Sequence, residues 1–424
     1  MSDGAVDIQH EARARVYAEP LESLNPADPQ LFVTDSHWPL FERLRADSPV
    51  HFSPQNEIYG PFWSISRYHD IMAVDTDHEA FSSSDGITLP SLEAEAEMKK
   101  RPTRPSFISM DPPRHDVQRK TVSPVVAPAN LAQLAPIIRE RAGVILDGLP
   151  IGERFDWVDK VSMELTAMTL ATLFDFPFEE RRRLTYWSDM MTNAPGHGVC
   201  ESWEQKRREL DVCFGVFDEM WRDRAAQPPK FDLVSMLAHG EATREMDEHE
   251  YHGNLGLLII GGNDTTRNTI SGSVYALNRN PAQYDKLRAR PELIPSMVSE
   301  TIRWQTPLAH MRRTATRDVE FGGQTIREGD KVVMWYVSGN RDDRVIESPG
   351  AYVIDRERPR THLSFGFGIH RCVGNRLAEL QLQIIWEEIL RRFPVIEVVE
   401  EPQRTHSIFV KGYETLPVVI PYRQ

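Results

Sequence analysis

FGFGIHRCVGNRLAELQLQIIWEEIL, residues 365–390, sets Cys372 between glycines at 366, 368 and 374, just ahead of a long amphipathic helix. Gly366 and Gly368 allow backbone angles that other residues resist, so the loop can curl tightly and let a flat ligand approach the main chain. A sulfur at the start of a helix faces the positive end of its dipole and free N–H groups, which favour thiolate over thiol. A lone cysteine in a glycine-rich turn is ordinarily a small buried hydrophobe, but that explains one residue of this pattern and not the rest.

Taken whole, the stretch resembles the cysteine-ligand signature of the cytochromes P450. Phe365, Gly366, Gly368, His370, Cys372, Gly374, Leu377 and Ala378 all fall at the expected positions. The resemblance implies that Cys372 is the axial ligand of haem b, iron protoporphyrin IX. Phe365, Gly366, His370 and Gly374 would then cradle the cofactor. A thiolate on haem iron pushes electron density to the metal and favours O–O cleavage.

Upstream, HGNLGLLIIGGNDTTRNTISGSVYAL, residues 252–277, reads as a long apolar helix interrupted by Gly261-Gly262 and Asp264-Thr265-Thr266. Each interior glycine costs a helix about 1 kcal/mol relative to alanine, and such local conflict is expected where function competes with stability. The glycine pair is expected to let the helix bulge and make room for dioxygen, with Gly261 against the cofactor. Releasing water from dioxygen takes two protons, for which Thr265 offers a hydrogen bond and Asp264 a relay from solvent. In the family this stretch matches the acid–alcohol motif.

Glu300 and Arg303 form an E-x-x-R pair on one helix face, ordinarily an exposed contact of little consequence. Followed by a strand and YVIDRERP, the pair resembles the family's buried Glu–Arg–Arg network, with Arg356 as third member and a structural role. Haem propionates need cationic or hydrogen-bonding partners in a buried pocket. His115, Arg119, Arg313 and His370 match the family's positions for them.

The net charge of −14 argues against nucleic acid as a partner. The polar start MSDGAVDIQHEARARVYAEP has no secretory pattern, and no apolar run reaches the roughly 20 residues of a membrane span, so a cytoplasmic protein without an anchor is expected. Cys200 and Cys213 fall in helical patterning and receive no role. Residues 1–30 read as a polar arm laid over the surface. Residues 31–424 read as a single P450 domain, mainly α, whose helical body carries a small β-rich lobe and holds haem between the long oxygen-side helix and the cysteine-loop helix. Short strands are read at PVHFSP and PFWSISRY, and a long loop from 81 to 113.

Within the family, GGNDTTRNTISG, FSSSDGITLP and HLSFGFGIHRC look most like soluble bacterial alkane and fatty-acid terminal hydroxylases. That resemblance implies insertion of one oxygen atom from O2 into the terminal C–H bond of a medium-chain aliphatic. Terpenoid hydroxylation by the same machinery is the alternative, and a non-catalytic haem-thiolate sensor is one of another class. A sensor or a peroxide-driven enzyme would have no use for the acid–alcohol pair. Apolar candidates for the substrate pocket are Ile87, Leu89, Leu257, Ile260, Leu308, Ala309, Ile408 and Phe409. With no dinucleotide fingerprint, electrons are expected from a separate ferredoxin and NAD(P)H-dependent reductase. Arg114, Lys120, Arg371 and Arg376 are the candidate docking cations on the cysteine side.

Overall fold

The computed structural model describes residues 3–424, with side chains from residue 8 onward. The polar arm of the sequence reading contains a helix, α1 (Asp3–Ala18), which lays Ala12 and Val16 against the body. Its apolar stripe is too narrow for periodicity to register. Helix α2 (Trp38–Asp47) receives it and leads into strands β1 (Val50–Ser53) and β2 (Phe62–Ile65), at the two runs expected. Strand β3 (Phe81–Ser82) opens the long loop. That loop contains a short helix, Leu92–Met98, capped by the Ser91 hydroxyl accepting from the Ala94 N–H at 3.1 Å. No residue of this helix is buried, so hydrophobic patterning gives it no signal.

The helical body comprises α3 (Arg114–Val122), α4 (Pro128–Asp147), α5 (Met163–Phe174), α6 (Arg182–Thr192), α7 (Trp203–Ala225), α8 (Glu248–Arg279) and α9 (Ile294–Gln305). It is completed by α10 (Asn375–Arg392), the helix after Cys372. Helix α8 is 32 residues long and starts at Asp247, whose carboxylate accepts from the Glu250 N–H at 2.9 Å. It runs through the centre, packed on α5, α6, α9 and α10, which is why it is apolar on most sides. Trp386 pins α10 to it by donating from Nε1 to the Ser273 hydroxyl at 2.8 Å. A three-residue strand inside the helical half, Arg154–Asp156, pairs antiparallel with Pro417–Val419. It is too short to leave a period in the sequence.

The β-rich lobe adds β4 (Met311–Ala315) and β5 (Lys331–Met334) in the order β1-β2-β5-β4-β3. Only β2 and β5 run parallel. Register places Arg313 opposite Val332 and points it to the buried side, at 2% exposure.

Candidate active site

The cysteine loop closes on itself and rests on Asp75. The Cys372 N–H donates to the Phe365 carbonyl at 2.8 Å, and Gly366 and Gly368 take φ of +67° and +62°. A Cβ on Gly368 would lie 2.5 Å from the Asp75 carbonyl oxygen, and one on Gly366 would lie 3.2 Å from the Tyr336 hydroxyl. Both glycines are therefore favoured by their backbone angles, and at Gly368 close approach to the Asp75 main chain leaves no room for a side chain. The buried Asp75 carboxylate accepts from the Phe367 N–H (2.8 Å), the Tyr336 hydroxyl (2.7 Å) and Arg313 Nη2 (2.6 Å). The sequence reading missed Asp75. Its one signal is an acid beside the buried Val74 on an otherwise ordinary helix.

Cys372 stands within the loop, three residues ahead of the start of α10. Burial raises this thiol above its ordinary value. The N–H groups of Gly374 and Asn375 and the guanidiniums of Arg119 and Arg371 pull the other way. The helix start thus supplies the donors expected of it, but in the free thiol desolvation outweighs them.

The residues proposed for the propionates gather at this loop. His115 and His370 meet edge to face at 4.5 Å. Both are buried, and His115 Nε2 and both ring nitrogens of His370 have no hydrogen-bond partner. Arg119 donates to the carbonyl of Arg371, and Arg313 is held by Asp75. Buried imidazole nitrogens without partners are costly unless an acceptor arrives, so this cluster fits the carboxylates of a haem.

Helix α8 runs α-helical without interruption through Gly261-Gly262, so the expected bulge is not observed. The two glycines serve different purposes. A Cβ on Gly262 would lie 2.6 Å from Leu170 Cδ2, so this glycine permits close packing on α5. A Cβ on Gly261 would meet nothing within 4 Å. Thr265 donates its hydroxyl to the Gly261 carbonyl at 2.9 Å and is half-buried on the same side. Asp264, one residue earlier and about 100° around the helix, points elsewhere and is fully buried. Its carboxylate accepts from Arg267 at 2.5 Å and from the Ser188 hydroxyl at 3.1 Å. Arg267 also donates to Asp189 at 2.7 Å. Burial, with the neighbouring Asp189, raises the Asp264 pKa against the pull of Arg267. The sequence reading passed over Arg267 and Asp189, although Asp264 and Arg267 stand three apart on one helix.

The E-x-x-R pair is completely buried. Arg303 grips Glu300 with two hydrogen bonds of 2.7 Å, and Arg356 adds a third at 2.9 Å. Arg303 Nη1 also donates to the Asn340 carbonyl at 2.9 Å. The Asn340 side chain in turn accepts from the Leu363 N–H (2.6 Å) and donates to Ser364 Oγ (2.9 Å), just ahead of the cysteine loop.

Three apolar segments proposed for the pocket are brought together by His310. Its Nε2 accepts from the Leu89 N–H at 3.2 Å while Nδ1–H donates to the Ile408 carbonyl at 3.0 Å. Burial pushes His310 down to about 4, leaving the neutral ring that this double role requires. The Ala309 N–H donates to the Phe409 carbonyl and the Arg312 N–H to that of Ile87, both at 2.8 Å. Leu89, Ala309 and Ile408 are buried in a cluster with Phe62 and Trp335, whereas Ile87, Leu308, Phe409, Leu257 and Ile260 are half-buried. Arg114, Lys120, Arg371 and Arg376 are exposed, with Arg114 paired to Glu250 at 3.0 Å.

This combination of a thiol at a helix start, unpartnered donors for two carboxylates and a long helix with an open glycine defines a haem-binding oxygenase architecture. A family model for cytochrome P450 matches residues 287–415. The chain is 35% identical over 399 residues to linalool 8-monooxygenase of Pseudomonas putida, covering 93% of this chain and 98% of that one. It is 30% identical over 390 residues to the methyl-branched lipid omega-hydroxylase of Mycobacterium tuberculosis, covering 89% and 90% respectively. The solved structure of cytochrome P450-153 from Novosphingobium aromaticivorans superposes with a TM-score of 0.86 at 44% identity, covering 93% of this chain and 98% of that one. The chain belongs to the cytochrome P450 family, with the fold, the haem cofactor and the monooxygenase chemistry of that family. No single helix among the described residues is long and apolar enough to cross a membrane.

Proposed function

We propose that this P450 hydroxylates the terminal carbon of a medium-chain alkane or fatty acid in the cytoplasm. One oxygen atom of O2 enters the product, and electrons come from a separate ferredoxin and its NAD(P)H-dependent reductase. The observation that supports this reading is that three distant apolar segments, at Ile87 and Leu89, Leu308 and Ala309, and Ile408 and Phe409, are tied together by His310 and by main-chain bonds, so that they can give a pocket an apolar wall. Such a wall holds a ligand by burial, at roughly 25 cal/mol per Å² of apolar area, and selects for hydrocarbon over polar groups. The similarity to a lipid omega-hydroxylase supports the terminal position.

Cys372 would ligate the iron through Sγ, and His115, Arg119, Arg313 and His370 would hold the propionates. Bound there, haem supplies the redox-active iron at which oxygen is activated and transferred. The protein's own part is to keep water out and deliver protons. The hydroxyl of Thr265, now donated to the Gly261 carbonyl, turns toward the cofactor side to give its hydrogen. Asp264, held between Arg267 and Ser188 on the neighbouring face of α8, restores that proton by rotating out of this buried network. The Glu300–Arg303–Arg356 cluster positions the loop through Asn340 and takes no part in the chemistry.

Terpenoid hydroxylation is the second reading, favoured by the similarity to linalool 8-monooxygenase. Titrating the ferric protein with linear alkanes, fatty acids and monoterpenes while following the Soret band separates the two. A low-to-high-spin shift greatest with medium linear chains is expected. A response confined to cyclic or branched ligands would move the substrate to terpenoids.

A further inference from the structure

A cavity of about 1390 Å³ opens between α1, the C-terminal ends of α8 and α9, and the segment 401–413. No residue assigned above to haem, oxygen, substrate or electron transfer lines it. Six of the charged residues around it are cations and four are carboxylates, in a chain whose net charge is −14. Local positive potential in an acidic protein marks a place built for a negative partner.

Two of those cations share one aromatic frame. The Arg341 guanidinium lies 4.6 Å from the centroid of Trp38 and 5.7 Å from that of Trp304. The Lys411 ammonium lies 5.4 and 5.8 Å from the same two rings. Their hydrogen bonds are few. Arg341 Nη2 donates to the Trp304 carbonyl at 3.2 Å, and Lys411 Nζ to the Gln305 carbonyl at 3.0 Å. Arg341 is only 8% exposed, and its Nη1 has no partner. Burial pushes Lys411 down to about 8, with Arg341 and Arg404 adding to the effect and Asp35 opposing it. Asp35 faces Arg404, Lys411 and Arg341, whose joint pull, with that of His37, outweighs burial and lowers its pKa, while Glu401 also pairs with Arg404 at 3.6 Å and Glu300 also acts on Arg341. Like charges held over one ring pair repel, and a cation buried without its full set of acceptors is costly.

We propose that this cavity binds a small organic anion, with a carboxylate or phosphate received by Arg341 and Lys411 and an apolar body lying against Tyr275 and Tyr413. The site adjoins the support of the cysteine loop, because Trp304 follows Arg303 and Arg341 follows Asn340.

Calorimetric titration of the haem-loaded protein with benzoate and with phenyl phosphate tests the proposal. Saturable binding of one molecule per chain without a Soret shift is expected, and the tighter of the two probes identifies the anionic group. Lys411→Met should weaken it about tenfold, the loss of one charge-assisted hydrogen bond. Asp35→Asn should tighten it by removing the competing carboxylate, a gain that mere damage to the fold would not produce. Affinity should also fall as pH rises past about 8, where Lys411 loses its proton. Failure of both probes, or binding indifferent to both substitutions, overturns the proposal.

Discussion

Thr265 illustrates how much rests on a single hydroxyl. Its present acceptor, the Gly261 carbonyl, is four residues back on the same helix, so the bond can be exchanged by rotating one side-chain torsion. Thr265→Ala is therefore expected to fold and bind haem normally yet yield roughly tenfold less product per NAD(P)H consumed, releasing peroxide instead. Thr265→Ser should restore most of the coupling. Fully coupled turnover by the alanine variant would remove Thr265 from proton delivery. At this scale legibility followed distance along the chain. Cys372 and its glycines could be read because their pattern is contiguous. Asp75 and His310 could not, since their partners lie hundreds of residues away at Phe367, Arg313 and Leu89.

Among the elements, α8 shows why a costly sequence is tolerated. Replacing a helical glycine by alanine ordinarily gains about 1 kcal/mol. At Gly262 the new methyl would meet Leu170 Cδ2 at 2.6 Å, and Leu170 is itself buried at 1% exposure. Overpacking of about 1–3 kcal/mol should then outweigh the gain, so Gly262→Ala is expected to lower the denaturation midpoint. An unchanged or raised midpoint would mean that α5 yields. The long elements were legible, α8 and α10 through their period and β1 and β2 through their β-branched and aromatic runs. The helix at Leu92–Met98 and the strand at Arg154–Asp156 were not, because one buries nothing and the other has three residues. The E-x-x-R spacing was visible in sequence, but its burial and its tie to Asn340 were not.

For the molecule as a whole, charge and function are distributed unevenly. An excess of fourteen negative charges coexists with exposed Arg371 and Arg376 on either side of Cys372, and with Arg114 and Lys120 on α3. The Arg119 bond to the Arg371 carbonyl draws these two segments together. Arg371→Glu should slow reduction by an acidic ferredoxin severalfold at low salt and flatten its dependence on ionic strength. Stopped-flow kinetics indistinguishable from the parent would exclude Arg371 from the docking face. The P450 fold was legible because its motifs occur in order over nearly the whole chain, whereas the cavity beside α1 was not, being assembled from short pieces of many elements. Gly261 has a different bearing on the molecule's history. An added methyl there meets no atom of the polypeptide within 4 Å, so a side chain at this position costs the protein's own packing nothing. The shape of the space beside this helix is thus open to natural selection at a residue that the protein's own packing leaves free.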